Sequence, residues 1–207
     1  MAIKLDAAGV NAKVDHPIVD GDAHVLEARL TLLDYVKKIA GPEIALKFEN
    51  MEHPWKYQDV QPIFWGMPSG AHSIDRATAM LPKLFKERLD EAGIDVGIVY
   101  STACLPLMHV RDDELRQVGH RALNHLLADI FNEVGDRLIP NAVIPMFSPE
   151  EAIAELDHAV NELGFKAAVF GTEVRLPIPE VAAKDPDLAK YTQRIYPVAL
   201  DALHDYD

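Results

Sequence analysis

Residues 17–25 read Pro-Ile-Val-Asp-Gly-Asp-Ala-His-Val and predict a strand that begins at a proline and carries polar side chains near its carboxyl end. Because side chains alternate across a strand, Asp20, Asp22 and His24 are predicted to share one face. A buried parallel strand is normally apolar on both faces, and burying these groups without partners would cost several kcal/mol. A divalent cation would remove that cost, since carboxylate oxygen and imidazole nitrogen are its natural ligands.

The same motif also has a purely structural interpretation. An Asp-x-His at the end of a strand can cap the following helix, or it can form a hydrogen-bonded pair without any metal. The residues alone leave the metal site and the structural pair equally open.

Downstream of this strand, the sequence predicts helices and strands in alternation. Helices are predicted over residues 26–39, 74–92, 112–134, 149–163 and 187–203, and strands over 96–101, 138–144 and 165–170. Nearly continuous apolar strands that alternate with helices indicate an α/β protein with a parallel sheet. Two architectures fit this order, an open doubly wound sheet or part of a (β/α) barrel.

The helix predicted over residues 149–163 has a clear start and an apolar stripe. Ser148 is placed to cap it, Pro149 suits its first position, and Glu151 is placed to complete a capping box. Its buried face is predicted from helical spacing to consist of four residues, Ile153, Leu156, Val160 and Leu163.

Composition and charge argue against some classes of binding partner. The chain of 207 residues has 33 acidic and 20 basic residues and a formal net charge of −13. A field of this sign repels phosphate backbones and anionic membrane surfaces, so we expect neither nucleic acid nor membrane as a partner. No signal peptide and no membrane-spanning apolar run is visible, which makes the cytoplasm the expected location.

Several common catalytic motifs are absent. The sequence has no Gly-rich phosphate loop, no Gly-x-Ser-x-Gly and no His-Glu-x-x-His. The single cysteine, Cys104, excludes a disulfide within the chain and a cysteine-rich zinc site. Cys104 follows the second strand, where a thiol nucleophile is conceivable, but an inert buried cysteine is the more frequent case.

Several stretches resemble the amidohydrolase superfamily. The segment around Asp22 and His24 looks like the first strand of that superfamily, which bears His-x-His or a variant with an acidic first member. Further stretches resemble the amidohydrolase-related branch that contains aminocarboxymuconate-semialdehyde decarboxylase and resorcylate decarboxylase. They lie at residues 75–82, 87–95, 121–124, 136–140 and 155–166, so the resemblance covers nearly the whole chain after Pro17.

This resemblance implies a (β/α)₈ TIM-barrel fold of the metal-dependent hydrolase type. Residues 1–207 would supply about the first four β/α units, as the N-terminal part of one barrel domain with an inserted loop at about residues 43–73. Asp22 and His24 match the two metal ligands of the first strand, with Asp22 in place of the commoner histidine. The family's other ligands, at the ends of strands five and eight, have no positions here. Zinc is the first expectation for the cation, and manganese the second.

Four further residues are candidate substrate contacts. Glu27 lies three residues past His24, although a solvated glutamate at a helix start is an equal alternative. His109 lies in the loop after the second strand and could contact substrate, or it could simply be a surface histidine. Arg111 could clamp a carboxylate, or it could pair with a neighbouring aspartate. The inserted loop is predicted to fold over the carboxyl ends of the strands, where Trp65 could line a pocket for an aromatic or unsaturated acid.

The expected function is metal-dependent hydrolysis or non-oxidative decarboxylation of a small carboxylated substrate. The alternative is a truncated, catalytically inactive half-barrel that serves as an interaction or oligomerisation module. Four parallel strands cannot close a barrel, and unpaired strand edges invite pairing with another chain. We therefore expect a homo-oligomer.

Overall fold

The computed structural model describes residues 7–51, 73–189 and 192–197. Most of the predicted inserted loop, including Trp65, lies outside these ranges, and so does the end of the last predicted helix. In the part of the chain that is described, no helix is long and apolar enough to cross a bilayer.

Four parallel strands form the central sheet, in the order β1 (Val19–Val25), β2 (Val96–Ser101), β3 (Leu138–Val143) and β4 (Ala167–Val169). Each strand pairs in parallel with the next one along the chain. This sequential order is the connectivity of a (β/α) barrel, whereas a doubly wound sheet reverses its order at a switch point. The described strands therefore form an open section of a barrel.

Helices connect these strands and cover one face of the sheet. They are α1 (Ala7–Asn11), α2 (Arg29–Glu49), α3 (Ser73–Met80), α4 (Pro82–Ala92), α5 (Cys104–Leu107), α6 (Asp113–Phe131) and α7 (Pro149–Asp157), and α7 continues as a π-helix over His158–Glu162. The predicted helix over residues 112–134 is confirmed as α6, and its apolar residues Leu115, Ala122 and Leu126, at helical spacing, are buried. They pack in one core with strand residues such as Val99 and Leu138.

The Gly41-Pro42 pair divides α2 into two helical segments with a kink between them, so the first segment ends close to the predicted end at residue 39. Gly41 has φ 85°, which a residue with a side chain rarely adopts, and the helix resumes beyond it to Glu49. Pro42 is tolerated there because proline fits the first turn of a new helical segment. The second segment buries Phe48 in the core. The prediction that the irregular loop begins near residue 43 is therefore wrong.

The last predicted helix, over residues 187–203, is also wrong where the structure describes it. The chain forms β5 (Glu173–Pro177), α8 (Pro179–Ala182), α9 (Pro186–Ala189) and β6 (Gln193–Pro197). Strands β5 and β6 pair antiparallel. In β5, Val174 is buried between exposed or half-buried neighbours, which is the period-two pattern of a strand with one buried face.

The helix α7 turns a different face to the core from the one its apolar spacing predicts. Ile153, Leu156 and Val160 are 66%, 42% and 47% exposed, while Glu155 and Ala159 are buried. The predicted buried stripe is therefore wrong for these three residues, while its fourth member, Leu163, packs partly buried against the core. The capping prediction holds in part, because the Ser148 hydroxyl accepts the Glu151 N–H at 3.2 Å.

Polar contacts between α6 and α7 explain this rotation. Arg116, only 2% exposed, donates from Nη2 to the Glu151 carboxylate at 2.7 Å, so that carboxylate does not complete a capping box. Arg121 donates to Glu155 at 2.8 Å, and Asn124 donates to the same carboxylate at 2.8 Å. A buried charge left unpaired would be strongly destabilising. These contacts, which we call the α6–α7 polar ladder, therefore hold the acidic side of α7 inward.

Asn124 offers a test of how strongly these polar contacts stabilise the fold. Its amide donates to the Val143 carbonyl at 3.0 Å and its oxygen accepts the Val143 N–H at 2.7 Å, in addition to the contact with Glu155. We expect Asn124→Ala to lower the free energy of unfolding by about 2–4 kcal/mol, because several buried polar groups lose their partner. Urea denaturation measures this value.

The exposed Asn132 is the matched control for this substitution. Asn132→Ala should change the free energy of unfolding by no more than about 0.5 kcal/mol. Equal effects of the two substitutions would show that the buried contacts of Asn124 are not stabilising.

Candidate functional site

The pairing of β1 with β2 places the sequence motif at the carboxyl ends of the sheet. His24 lies beside Tyr100, and Val25 lies beside Ser101. The carboxylate Oδ1 of Asp22 and the Nε2 of His24 are 3.5 Å apart. The Asp22 side chain is 90% exposed and that of His24 is 27% exposed, so both can be reached from solution.

Asp20 does not belong with this pair. Between Asp20 and Ala23 the register with β2 shifts by one residue, which is an irregularity of the β-bulge type. Strict alternation from Asp20 to His24 is therefore interrupted, and the prediction that all three polar residues share a face is wrong for Asp20. Its Oδ1 instead accepts the backbone N–H of Asp22 at 2.9 Å.

A cavity of about 430 Å³ surrounds the Asp22–His24 pair, and His109 lines it as well. The ring of Tyr100 lies 5.9 Å from that of His24 between centroids. Apolar wall is supplied by Leu105, Met108 and Phe170. Tyr100 is not among the predicted site residues. Its place as the last residue but one of an apolar strand does predict that it lies near the carboxyl ends of the sheet.

Glu27 lies beneath this site and is not one of its lining residues. It is 5% exposed, and its Oε2 accepts the backbone N–H of Ala103 at 3.0 Å. Burial raises the pKa of Glu27 to about 7, although hydrogen bonds from Ser101 and Ala103 act in the opposite direction. Among the described residues, no partner lies within hydrogen-bonding distance of its Oε1. The solvated-glutamate alternative is therefore wrong.

Cys104 lines the same cavity but is not poised for nucleophilic attack. It is 3% exposed, and its Sγ donates to the Ser101 carbonyl at 2.9 Å. Burial, and then the charge of Glu27, raise the pKa of the Cys104 thiol to about 12. The thiolate that a nucleophilic mechanism needs is therefore scarce at neutral pH, as the inert-cysteine interpretation predicts.

Of the other predicted substrate contacts, the structure brings only His109 to the Asp22–His24 cavity. His109 is exposed, and it also lines a neighbouring cavity of about 440 Å³ together with Arg111 and Arg175. Asp112 lines this neighbouring cavity too, and its Oδ1 accepts the Leu115 N–H at 2.9 Å, while Asp113 pairs with Arg116 at 2.7 Å. Trp65 lies outside the described residues.

The Asp22–His24 pair is compatible with a shared cation. Two ligands on one ion with bonds of about 2.0–2.2 Å lie about 3 to 3.5 Å apart, and the observed separation is 3.5 Å. In residues 7–51, 73–189 and 192–197, no three His, Cys, Asp or Glu side chains come together in a way that could hold a metal ion. The described part of the chain therefore offers two protein ligands at this position.

No protein-family model and no curated protein sequence matches the chain. Among solved structures, it is similar to 5-carboxyvanillate decarboxylase from Novosphingobium aromaticivorans in complex with manganese and 4-hydroxy-3-methoxy-5-nitrobenzoic acid. The TM-score is 0.52 at 16% identity, over 83% of this chain and 45% of that one. A mutant of that enzyme, also with manganese and a nitrobenzoic acid, gives 0.51 at 15% identity, over 76% and 42% of the two chains.

The chain shares its fold with this decarboxylase. The prediction of a partial (β/α) barrel is thereby confirmed at the level of fold. The chain spans less than half the length of the enzyme it matches. At this low identity, the likeness by itself does not transfer the activity.

The buried carboxyl of Glu27 predicts a characteristic dependence of stability on pH. Its pKa is about 7 in the folded chain, against the ordinary 4.5 of a glutamate. A raised pKa stabilises the fold at low pH, and this contribution is lost as the pH rises from about 4.5 through 7. Glu27→Gln removes the titrating group, so this loss should be absent in the variant. The free energy of unfolding of the variant relative to wild type should therefore rise by on the order of 3 kcal/mol between pH 4.5 and pH 8.

Urea denaturation at several pH values measures this difference, and the histidines common to both proteins cancel in it. The exposed glutamate in Glu114→Gln is the matched control and should show a constant offset from wild type. A constant offset for Glu27→Gln as well would contradict the raised pKa.

Proposed function

We propose that Asp22 and His24 supply two ligands to a divalent cation in an enzyme that removes carbon dioxide, without oxidation, from a small aromatic or unsaturated carboxylic acid. The observation that best supports this proposal is the 3.5 Å distance between Asp22 Oδ1 and His24 Nε2, in side chains that line a cavity at the carboxyl ends of parallel strands. Active sites of (β/α) barrels lie at this end. The similarity to a manganese-containing decarboxylase favours decarboxylation over hydrolysis, and this step is an analogy between folds.

The side chains around the pair suit a flat, carboxylated substrate. A bound divalent cation would polarise the substrate's oxygen atoms and offset their negative charge. The Tyr100 ring packs beside His24 and restrains the imidazole, and Met108 and Phe170 supply apolar wall for a ring. His109 at the rim carries the one other imidazole of the cavity lining, so it could hydrogen-bond a carboxylate or hold a proton.

The choice of cation follows from the ligand types. One carboxylate oxygen and one imidazole nitrogen suit both zinc and manganese. The two similar structures contain manganese. We therefore propose a divalent cation with manganese ahead of zinc, the reverse of the order expected from the sequence.

The inactive half-barrel is the competing proposal, and one observation favours it. The described residues bring together two protein ligands, fewer than the three that catalytic zinc sites commonly use. Under this alternative, Asp22 and His24 form only a weak ion pair, and the open sheet associates with a second copy. Light scattering measures that association.

Manganese binding tests the proposed site directly. We expect Asp22→Asn and His24→Asn each to weaken Mn²⁺ binding by about tenfold or more, because each removes one of two protein ligands. Electron paramagnetic resonance of free Mn²⁺ measures the affinity in the purified protein. Asp15→Asn and His16→Asn, which change exposed residues a few positions earlier in the chain, are the matched controls. They should bind Mn²⁺ as tightly as wild type does. Unchanged affinity in the Asp22 and His24 variants would rule out the site.

Activity is tested on the same preparations. Carbon dioxide release from hydroxylated benzoic acids, with and without Mn²⁺, separates decarboxylation from hydrolysis, which would release an acid or alcohol instead. Release that depends on Mn²⁺ and on His24 supports the proposal. Bound Mn²⁺ with no turnover of either kind would favour the inactive half-barrel.

A further inference from the structure

Two histidines face each other away from the Asp22–His24 cavity, which neither of them lines. His125 lies in α6, and His158 is the first residue of the π-helix that follows α7. Their Nε2 atoms are 3.1 Å apart, and their rings are 5.2 Å apart between centroids with a tilt of 46°. Both residues are half-buried, so an ion can reach them from solution.

The α6–α7 polar ladder holds His125 and His158 close to each other. Arg121 and Asn124, next to His125 in sequence or one turn before it, both donate to Glu155, which lies three residues before His158. The backbone then changes to π geometry at His158. Isolated π turns within helices are frequent at functional sites. The two imidazoles are therefore held together by contacts that do not involve the rings themselves.

We propose that His125 and His158 form a second metal site, which binds a divalent cation of the zinc or copper type through the two Nε2 atoms. Two nitrogens bound to one tetrahedral ion by bonds of about 2.0–2.1 Å lie about 3.3 Å apart. The observed 3.1 Å requires only a small adjustment to reach that separation.

Proton balance sets an expectation for metal binding at this pair. Two neutral imidazoles with their Nε2 atoms 3.1 Å apart share one proton between those atoms. A cation that takes both Nε2 lone pairs displaces this proton, and the ring that loses it takes up a proton at Nδ1, so both rings stay neutral. Binding to the neutral pair therefore releases no net proton to solvent.

The charges around the pair keep the rings neutral. Burial, then His158 and Arg121, lower the pKa of His125, while Asp129 and Glu155 act to raise it. For His158, burial and then Arg121 lower the pKa, against Glu162 and Asp157. Neutral imidazole is the form that binds metal, and the four carboxylates would offset a cation's charge.

The ligand types predict which cations bind. Imidazole favours zinc, copper and nickel, whereas magnesium and calcium need oxygen ligands. No third His, Cys, Asp or Glu joins the pair among the described residues, so water would complete the coordination. The site should therefore discriminate strongly between Zn²⁺ and Mg²⁺.

Calorimetric titration of the whole chain with Zn²⁺ and with Mg²⁺ tests this site. Three proteins are compared: wild type, the double variant His125→Gln/His158→Gln, and the double variant Asp22→Asn/His24→Asn. We expect Asp22→Asn/His24→Asn to keep one bound Zn²⁺, and His125→Gln/His158→Gln to bind one Zn²⁺ fewer than wild type or to bind it about tenfold or more weakly. Titration in buffers of different ionisation enthalpy, at a pH where both rings are neutral, should show no net proton release for Zn²⁺ at this site.

Two controls keep the result interpretable. His109→Gln removes an exposed histidine elsewhere and should leave this zinc site unchanged. If His125→Gln/His158→Gln does not fold, Zn²⁺ should still raise the thermal midpoint of Asp22→Asn/His24→Asn by several degrees, with no rise from Mg²⁺. The same number of bound Zn²⁺ ions with the same affinities in His125→Gln/His158→Gln as in wild type, or the loss of zinc binding in Asp22→Asn/His24→Asn, would overturn the proposal.

Discussion

The carboxyl ends of β1 and β2 are joined by a buried hydrogen bond from the Ala103 N–H to the Glu27 carboxylate, at 3.0 Å. Ala103 immediately precedes α5, and α5 and the residues after it supply Leu105, Met108 and His109 to the cavity. A carboxyl in this position is expensive to bury in its charged form. The fold reduces the cost by raising the pKa of Glu27 to about 7 and by donating to one of its oxygens. The geometry of the cavity thus depends on a group that does not line it.

The α6–α7 polar ladder shows why the packing of α7 could not be predicted from α7 alone. Apolar spacing places Ile153, Leu156 and Val160 inward, yet they face out because Glu151 and Glu155 pair with α6. The spacing of apolar residues depends on one helix alone. The buried face of α7 depends on polar partners in α6, which lie 34 and 35 residues away in sequence. Here the side of α7 that pairs with α6 faces inward, and these three apolar side chains remain exposed.

The parallel strands were predictable because each is a short apolar run between turn signals, and β2 matches its predicted bounds. Alternation also identified Asp22 and His24, which need only one strand to come together. The exclusion of Asp20 and the burial of Glu27 could not be predicted, since both depend on the register of β1 against a strand some 75 residues away. The antiparallel β5 and β6 are not among the predicted elements, because no element is predicted over residues 171–186 and a helix is predicted across β6.

Selectivity between cations is a further physical constraint on this chain. A formal net charge of −13 raises the concentration of every divalent cation near the surface, whichever ion it is. Long-range attraction therefore cannot choose between metals, and ligand type must do so. An oxygen–nitrogen pair, as in Asp22 and His24, accepts manganese as well as zinc, whereas a nitrogen–nitrogen pair, as in His125 and His158, disfavours the harder ions. The two proposed sites would thus sort cations by ligand chemistry within one electrostatic field.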